Sequence, residues 1–307
     1  MAVLVLPTSS FVQQQLDALR ALAPHEVFAT DPAAIAPEEV EALLAFRLRP
    51  GIANVLPRLR FIASAGAGAD EILATPDLPA VPVVRPVDPL QARHIAQYVT
   101  LMALRFHREL ARLETQHREH RWQRFAPMAE AQRRVGVLGY GAAGRAVVTA
   151  LRALGFDVTA WRRTEASATD DVVSGADGLR ALLENAQILA CTLPLTPETR
   201  GLLGAATLAR LPRGAFVIDV SRGGILDHGA LLQAIDEGRI AGAALDVFPD
   251  EPLPAASPLW EHPAVLCTPH IAGTPRPELA ARQFLDNLRR ARAGEPLCHV
   301  IDRARGY

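Results

Sequence analysis

Residues 134–155 read RVGVLGYGAAGRAVVTALRALG, and the architecture of the chain can be worked out from this stretch. The apolar run Arg134 to Leu138 has the composition of a buried strand, and the apolar positions after Gly144 recur at helical spacing up to Leu154. Gly155 then supplies a C-cap. Between strand and helix stand Gly139, Gly141 and Gly144 in GxGxxG spacing. In that context Gly139 makes a tight turn, Gly141 lets backbone approach a pyrophosphate, and Gly144 lets the helix pack closely on the strand. The free amides of Ala142 and Ala143, at the helix N-terminus, meet the negative charge. A glycine-rich turn that only packs a helix on a sheet is the plainer reading. The complete strand, motif, helix, strand order argues against it.

The next strand, Asp157 to Trp161, bears on which dinucleotide is bound. An NAD-type site has Asp or Glu at the end of that strand to hold the ribose hydroxyls. This chain has Trp161-Arg162-Arg163 there, and its one nearby acid, Asp157, starts the strand. Guanidinium forks suit a 2′-phosphate and leave a bare ribose without an acceptor, so Arg162 and Arg163 predict NADPH over NADH, with NADH still possible. Two solvated surface arginines are the alternative.

Outward from the motif, strand-like runs alternate with helical patterns on both sides. Val3 to Leu6, Arg60 to Ser64 and Val81 to Val84 precede it. Ile188 to Leu193, Phe216 to Val220, Gly242 to Val247 and Ala264 to Thr268 follow. Such alternation predicts α/β architecture with two doubly wound parallel sheets: a Rossmann-type dinucleotide-binding domain over 99–276, and a flavodoxin-like substrate-binding domain from 1–98 and 277–307, with a cleft between them. One long connecting helix is expected over Ile95 to Trp122. Its apolar stripe either packs on its own domain or meets a second copy of the chain. A late helix, Arg276 to Ala293, opens at Pro277 and stops at Gly294.

The strands after the motif deliver special residues at their carboxyl ends, the edge where doubly wound sheets bind ligands. These are Leu193-Pro194, Val220-Ser221-Arg222-Gly223-Gly224, Asp246 and Thr268-Pro269-His270; Glu251 follows in the loop after Asp246. Singly, each has an ordinary reading: Arg222 as a surface ion-pair partner, Glu251 as a loop carboxylate before Pro252, His270 as a turn residue. Together they match a chemistry. Reducing a ketone builds negative charge on oxygen, which calls for a fixed cation and a positioned acid, and a carboxylate beside a histidine favours its protonated form.

The segments from Val217 to Asp227, Gly242 to Leu253 and Cys267 to Gly273 resemble the D-isomer-specific 2-hydroxyacid dehydrogenase family, within it the members that reduce glyoxylate and hydroxypyruvate. The likeness extends from Ser64-Ala-Gly-Ala-Gly-Ala-Asp70 to the tail Asp302 to Tyr307. It implies that Arg222 binds the substrate carboxylate and carbonyl oxygen, that His270 donates the proton, and that Glu251 pairs with His270. It further implies that Asp246 contacts the nicotinamide carboxamide, although a cap on the following turn is the alternative. Leu193, Pro194, Val220 and Ser221 would wall the cofactor. The Gly66 to Asp70 loop would grip the substrate carboxylate through the amides of Ala67 and Gly68. The implied reaction is NADPH-dependent reduction of a small 2-keto acid to the D-2-hydroxy acid by a homodimer.

The chain departs from the family pattern at Asp219, where Asn is usual, at His228, where an acid is common, and at Gln97, where Glu is common. Phe46-Arg47-Leu48-Arg49 also replaces a loop of different character. Arg47 or Arg49 would bind a second anionic group on a larger keto acid, or would simply be solvated. An NAD(H)-linked dehydrogenase of a bulkier substrate and a non-catalytic dinucleotide sensor therefore stay open.

Bulk properties narrow the classes further. A net charge of −1, from 32 basic and 33 acidic residues, gives no reason to expect nucleic acid or an anionic membrane as partner. Cys191, Cys267 and Cys298 are dispersed, so neither a disulfide framework nor a metal cage is suggested, and a reducing cytoplasm fits. No stretch has the length of a membrane span, and the N-terminus lacks the pattern of a signal peptide.

Overall fold

The computed structural model of the chain describes residues 1–126, 128–163 and 171–303. Residues 304–307 of the family-like tail lie outside the described residues.

The first part of the chain forms β1 (Ala2–Val5), α1 (Ser10–Leu22), β2 (Val27–Ala29), β3 (Val40–Ala45), β4 (Phe61–Ser64), α2 (Asp70–Leu73) and β5 (Val83–Val84). The strands pair in parallel in the order β2-β1-β3-β4-β5, the flavodoxin-like doubly wound order. There follow α3 (Pro89–His107), α4 (Leu110–Arg118), β6 (Arg134–Leu138), α5 (Ala142–Ala153), β7 (Asp157–Arg162), β8 (Val172–Ser174), α6 (Gly175–Asn185), β9 (Ile188–Cys191), α7 (Ala205–Leu208), β10 (Ala215–Asp219), α8 (His228–Asp236), β11 (Ile240–Leu245), β12 (Val265–Cys267) and α9 (Pro277–Ala293). The second sheet runs β12-β11-β10-β9-β6-β7-β8, also parallel. Its order reverses beside β6, the strand that leads into the glycine motif.

Two compact units result, one of Met1–Leu90 with Thr274–Tyr307, the other of Gln91–Gly273. These divisions fall before the 98/99 and 276/277 positions expected from the sequence; α3 itself already begins at Pro89.

Parallel strands buried on both faces explain the near-continuous apolar runs. In β6, Val135 and Val137 face a core made with Val147 and Leu151 of α5 and Val99, Met102 and Ala103 of α3. Leu138 faces the opposite core with Leu182 and Leu183 of α6 and Leu231 of α8. In the first unit, α1 and α9 cover one sheet face through Leu16, Leu19, Phe284 and Leu288. Ile72 of α2 and the loop residues Leu48, Leu56 and Leu59 cover the other.

The single connecting helix expected over Ile95 to Trp122 is corrected to two. The break falls at Glu109, which adopts a left-handed φ of 52° and ends the hydrogen-bonded run of α3. The apolar stripe divides there. Val99, Met102 and Ala103 are buried against their own sheet, whereas Leu110 and Leu113 are each 38% exposed. The late helix is as expected: Pro277 lies in its first turn, and Gly294 caps it at φ 69°.

Candidate active site

The glycine motif meets the demands made of it. Gly139 has φ +99° and its amide donates to Trp161 O at 2.9 Å, joining the turn to the end of β7. A Cβ at Gly144 would lie 1.9 Å from Gly139 O, so only glycine lets α5 start this close to the strand. A Cβ at Gly141 would meet nothing within 4 Å. Gly141 is also the N-cap of α5 and gives it no side-chain acceptor. The first-turn amides are left for an external anion, so the residues present fit a dinucleotide pyrophosphate. Thr192, which the sequence reading passed over, ties β9 to this turn by donating to Leu138 O at 3.0 Å.

At the end of β7, Arg162 closes the strand and Arg163 follows it, with Asp157 at the far end. Arg163 pairs with Glu198 at 3.0 Å, both side chains about half exposed. Leu193, Val220 and Ser221 are buried at the carboxyl ends of β9 and β10, and Pro194 O accepts from Thr199 Oγ1 at 2.7 Å.

Glu251 and His270 come together. His270 Nδ1 lies 2.8 Å from Glu251 Oε2, and Glu251 Oε1 accepts the Phe248 amide at 2.9 Å. Burial pushes the Glu251 carboxyl up. The hydrogen bond and charge of His270, the Phe248 amide and the Arg222 charge more than offset this, leaving it below its ordinary value. The carboxylate is therefore ionised at neutral pH and can only accept, so Nδ1 carries a hydrogen and Nε2 is the nitrogen left for a substrate.

Arg222 leaves the β10 turn with Nη1 donating to Ser221 O at 2.7 Å. The next residue, Gly223, packs against the backbone of the Glu251 loop, where a Cβ would lie 2.0 Å from Phe248 O. This contact brings the Arg222 turn and the Glu251 loop together. His228, at the start of α8, packs edge-on against Phe248 at 5.7 Å, while Asp227 caps the helix by accepting from Ala230 N at 3.0 Å.

Asp246 follows β11 with 1% exposure, and its hydrogen bonds run to the turn that carries His270. Oδ1 accepts from Thr268 Oγ1 at 2.6 Å and from Ile271 N at 2.9 Å, and Oδ2 accepts from Ala272 N at 2.8 Å. The turn it caps is this one, 22 positions and more along the chain, rather than the turn that directly follows Asp246. Tyr98 of α3 extends the network, its hydroxyl 2.7 Å from Thr268 Oγ1. Burial raises the Tyr98 phenol to about 12, so it is a donor throughout the useful pH range. Held this way, His270 has φ 54°, unusual for a residue with a side chain.

Asp219 ends β10, fully buried, and accepts the Ser221 amide at 3.0 Å as well as the Ser221 hydroxyl. Burial raises its carboxyl to about 6. In the first unit, Ala67 and Gly68 are partly exposed in the loop between β4 and α2. Arg47 pairs with Glu71 at 2.9 Å and Arg49 is exposed. Among the described residues no group of three or more His, Cys, Asp or Glu is arranged to hold a metal. No described helix is long and apolar enough to cross a membrane.

The model of the D-isomer specific 2-hydroxyacid dehydrogenase NAD-binding domain matches residues 100–272, more than half of the chain. The chain belongs to the D-isomer-specific 2-hydroxyacid dehydrogenase family. It is an NAD(P)-dependent oxidoreductase of that family. Among its relatives, glyoxylate/hydroxypyruvate reductase A of Serratia proteamaculans is 38% identical over 258 residues, 81% of this chain and 82% of the relative. A 2-hydroxyacid dehydrogenase of Xanthobacter autotrophicus, crystallised with NADPH and MES, is 40% identical with a TM-score of 0.89, covering 100% of this chain and 99% of that one. The NADPH-dependent glyoxylate/hydroxypyruvate reductase of Sinorhizobium meliloti, crystallised with NADP and sulfate, is 30% identical with a TM-score of 0.89 over 100% of both chains. The two-sheet architecture is that of these family members.

Proposed function

We propose that the chain reduces a small 2-keto acid of the glyoxylate or hydroxypyruvate type to its D-2-hydroxy acid with NADPH. The observation that carries this reading is the 2.8 Å pair of His270 and Glu251 on the turn organised by Asp246. NADPH, when bound, supplies the hydride. Gly139, Gly141, Gly144 and the amides of Ala142 and Ala143 hold its pyrophosphate, and Leu193, Pro194, Val220 and Ser221 wall it. Arg162 and Arg163 recognise the 2′-phosphate, in line with the NADPH and NADP bound by the Xanthobacter and Sinorhizobium relatives. Asp246 has a second task at the carboxamide beside its cap on the His270 turn.

On the substrate, Arg222 binds the carboxylate and the carbonyl oxygen, and its fixed charge offsets the negative charge that develops there. His270 donates the proton from Nε2, and Glu251, 2.8 Å from Nδ1, keeps the imidazole oriented. The Gly66 to Asp70 loop binds the carboxylate. The working assembly is a homodimer, for which Leu101, Leu110, Leu113 and Trp122 offer exposed apolar side chains on and after α3 and α4. A cytoplasmic setting goes with the dispersed cysteines.

Initial rates with glyoxylate, hydroxypyruvate, pyruvate and bulkier 2-keto acids, each with NADPH and NADH, test the reading. The expected result is turnover of the small acids with higher kcat/KM for NADPH, and an Arg162→Asp variant that loses NADPH efficiency while keeping most of that for NADH. No turnover with any keto acid overturns the activity; equal efficiency with both cofactors overturns the arginine assignment.

A further inference from the structure

We infer that Arg85 is a positioning residue for the substrate carboxylate, fixing and polarising the Ala67–Gly68 peptide so that the Gly68 amide is presented to the ligand. This rests on reading residues 66–70 as the carboxylate loop.

The topology brings the two segments together. β4 and β5 are parallel neighbours, with Ile62 opposite Val83 and Ala63 opposite Val84. Ser64, the last residue of β4, and Arg85, the first after β5, therefore stand at the same carboxyl edge. From there Arg85 Nη1 donates to Ala67 O at 3.0 Å. Ser64 Oγ donates to Gly68 O at 2.5 Å and accepts from Gly66 N at 3.3 Å. Two successive carbonyls of the loop are thus drawn back to the strand ends.

In a trans peptide the N–H points opposite to the C=O. Tying Ala67 O to Arg85 therefore turns the Gly68 N–H away from Arg85, and tying Gly68 O to Ser64 does the same for the Ala69 N–H. Ala69 is only 4% exposed, whereas Gly68 is partly open and its amide donates to no described residue. The geometry thus singles out Gly68, out of the pair Ala67 and Gly68 expected from the sequence. A cation on the carbonyl side withdraws electron density from the peptide and strengthens the N–H on its other side. The loop is also held from behind: a Cβ at Gly66 would lie 2.5 Å from Phe46 Cε1.

A neutral replacement should then weaken recognition of a carboxylate while sparing a ligand that lacks one. The test compares the wild type, Arg85→Met and Arg85→Lys with a 2-keto acid that the wild type reduces and with its methyl ester. For Arg85→Met, kcat/KM on the acid should fall about tenfold or more, mainly through KM. On the ester it should change less than about twofold, and Arg85→Lys should recover part of the loss. Where ester turnover is too slow, inhibition by oxamate against methyl oxamate reads the same ratio. If Arg85→Met does not fold, Ser64→Ala tests the adjoining peptide of the same loop and should shift the acid-to-ester ratio in the same direction. Equal losses on acid and ester, or no loss on the acid, overturn the inference. A wild type inactive on every keto acid overturns the underlying activity instead.

Discussion

Three residues respond differently to being changed. In the proposed reaction His270→Ala removes the proton donor, so kcat for keto-acid reduction should fall at least about a hundredfold while NADPH affinity, read by fluorescence titration, stays within about twofold. Glu251→Gln keeps the shape of the pair and removes its charge. The proton donor then loses its ionic partner, and kcat for keto-acid reduction should fall at least about tenfold with a smaller change in KM. Asp219 concerns stability. Burial raises its carboxyl from 3.8 to about 6. Folding therefore favours the protonated form; that contribution is fully present below pH 4 and is lost as pH rises through 6, by on the order of 3 kcal/mol. An Asp219→Asn variant keeps an acceptor for Ser221 and avoids the charge. Its melting temperature relative to wild type should rise between pH 5 and pH 8; a constant difference contradicts the assignment.

Elements show which parts of the fold a sequence exposes. The α5 motif was legible because its glycines answer to local demands: Gly139 to its own φ of +99°, Gly144 to Gly139 O, and Gly141 to open space. A Gly144→Ala variant drives a methyl into Gly139 O and should be destabilised. Gly141→Ala points into open space, so it should melt like the wild type yet bind NADPH at least about tenfold more weakly, by differential scanning fluorimetry and titration. The strands missed from sequence had physical reasons to be hidden. β2 and β8 are three-residue edge strands, too short to show a pattern. β3 carries Glu41, fully buried, whose compensation by Arg292 at 2.6 Å comes from α9, 251 residues later. An Arg292→Ala variant leaves that carboxylate with only the longer 3.6 Å contact from Arg60 and should cost about 3 kcal/mol in urea unfolding, whereas replacing both Glu41 and Arg292 by Met should cost less. The helix break at Glu109 lacks glycine or proline, and the Tyr98 to Thr268 bond spans 170 positions, so neither leaves a local trace. By contrast, that Arg222, Glu251 and His270 lie near one another was readable, because parallel strands deliver their carboxyl ends to one edge. What the sequence did not show was that Asp246 anchors the turn on which His270 stands.

For the whole molecule, sedimentation velocity at micromolar concentration should give twice the mass of the chain if Leu101, Leu110, Leu113 and Trp122 are covered by a second copy, and Trp122→Asp should shift the balance toward monomer. The division of the chain also imposes a timetable on its birth. As the polypeptide leaves the ribosome, residues 1–90 can pair their strands, yet Phe284 and Leu288, which complete one side of that sheet, are made only after the whole intervening unit. The intervening unit is finished earlier and contains all of its own sheet. Of the two units, the one begun first is thus completed second, with an oily face awaiting its helix while the other is made.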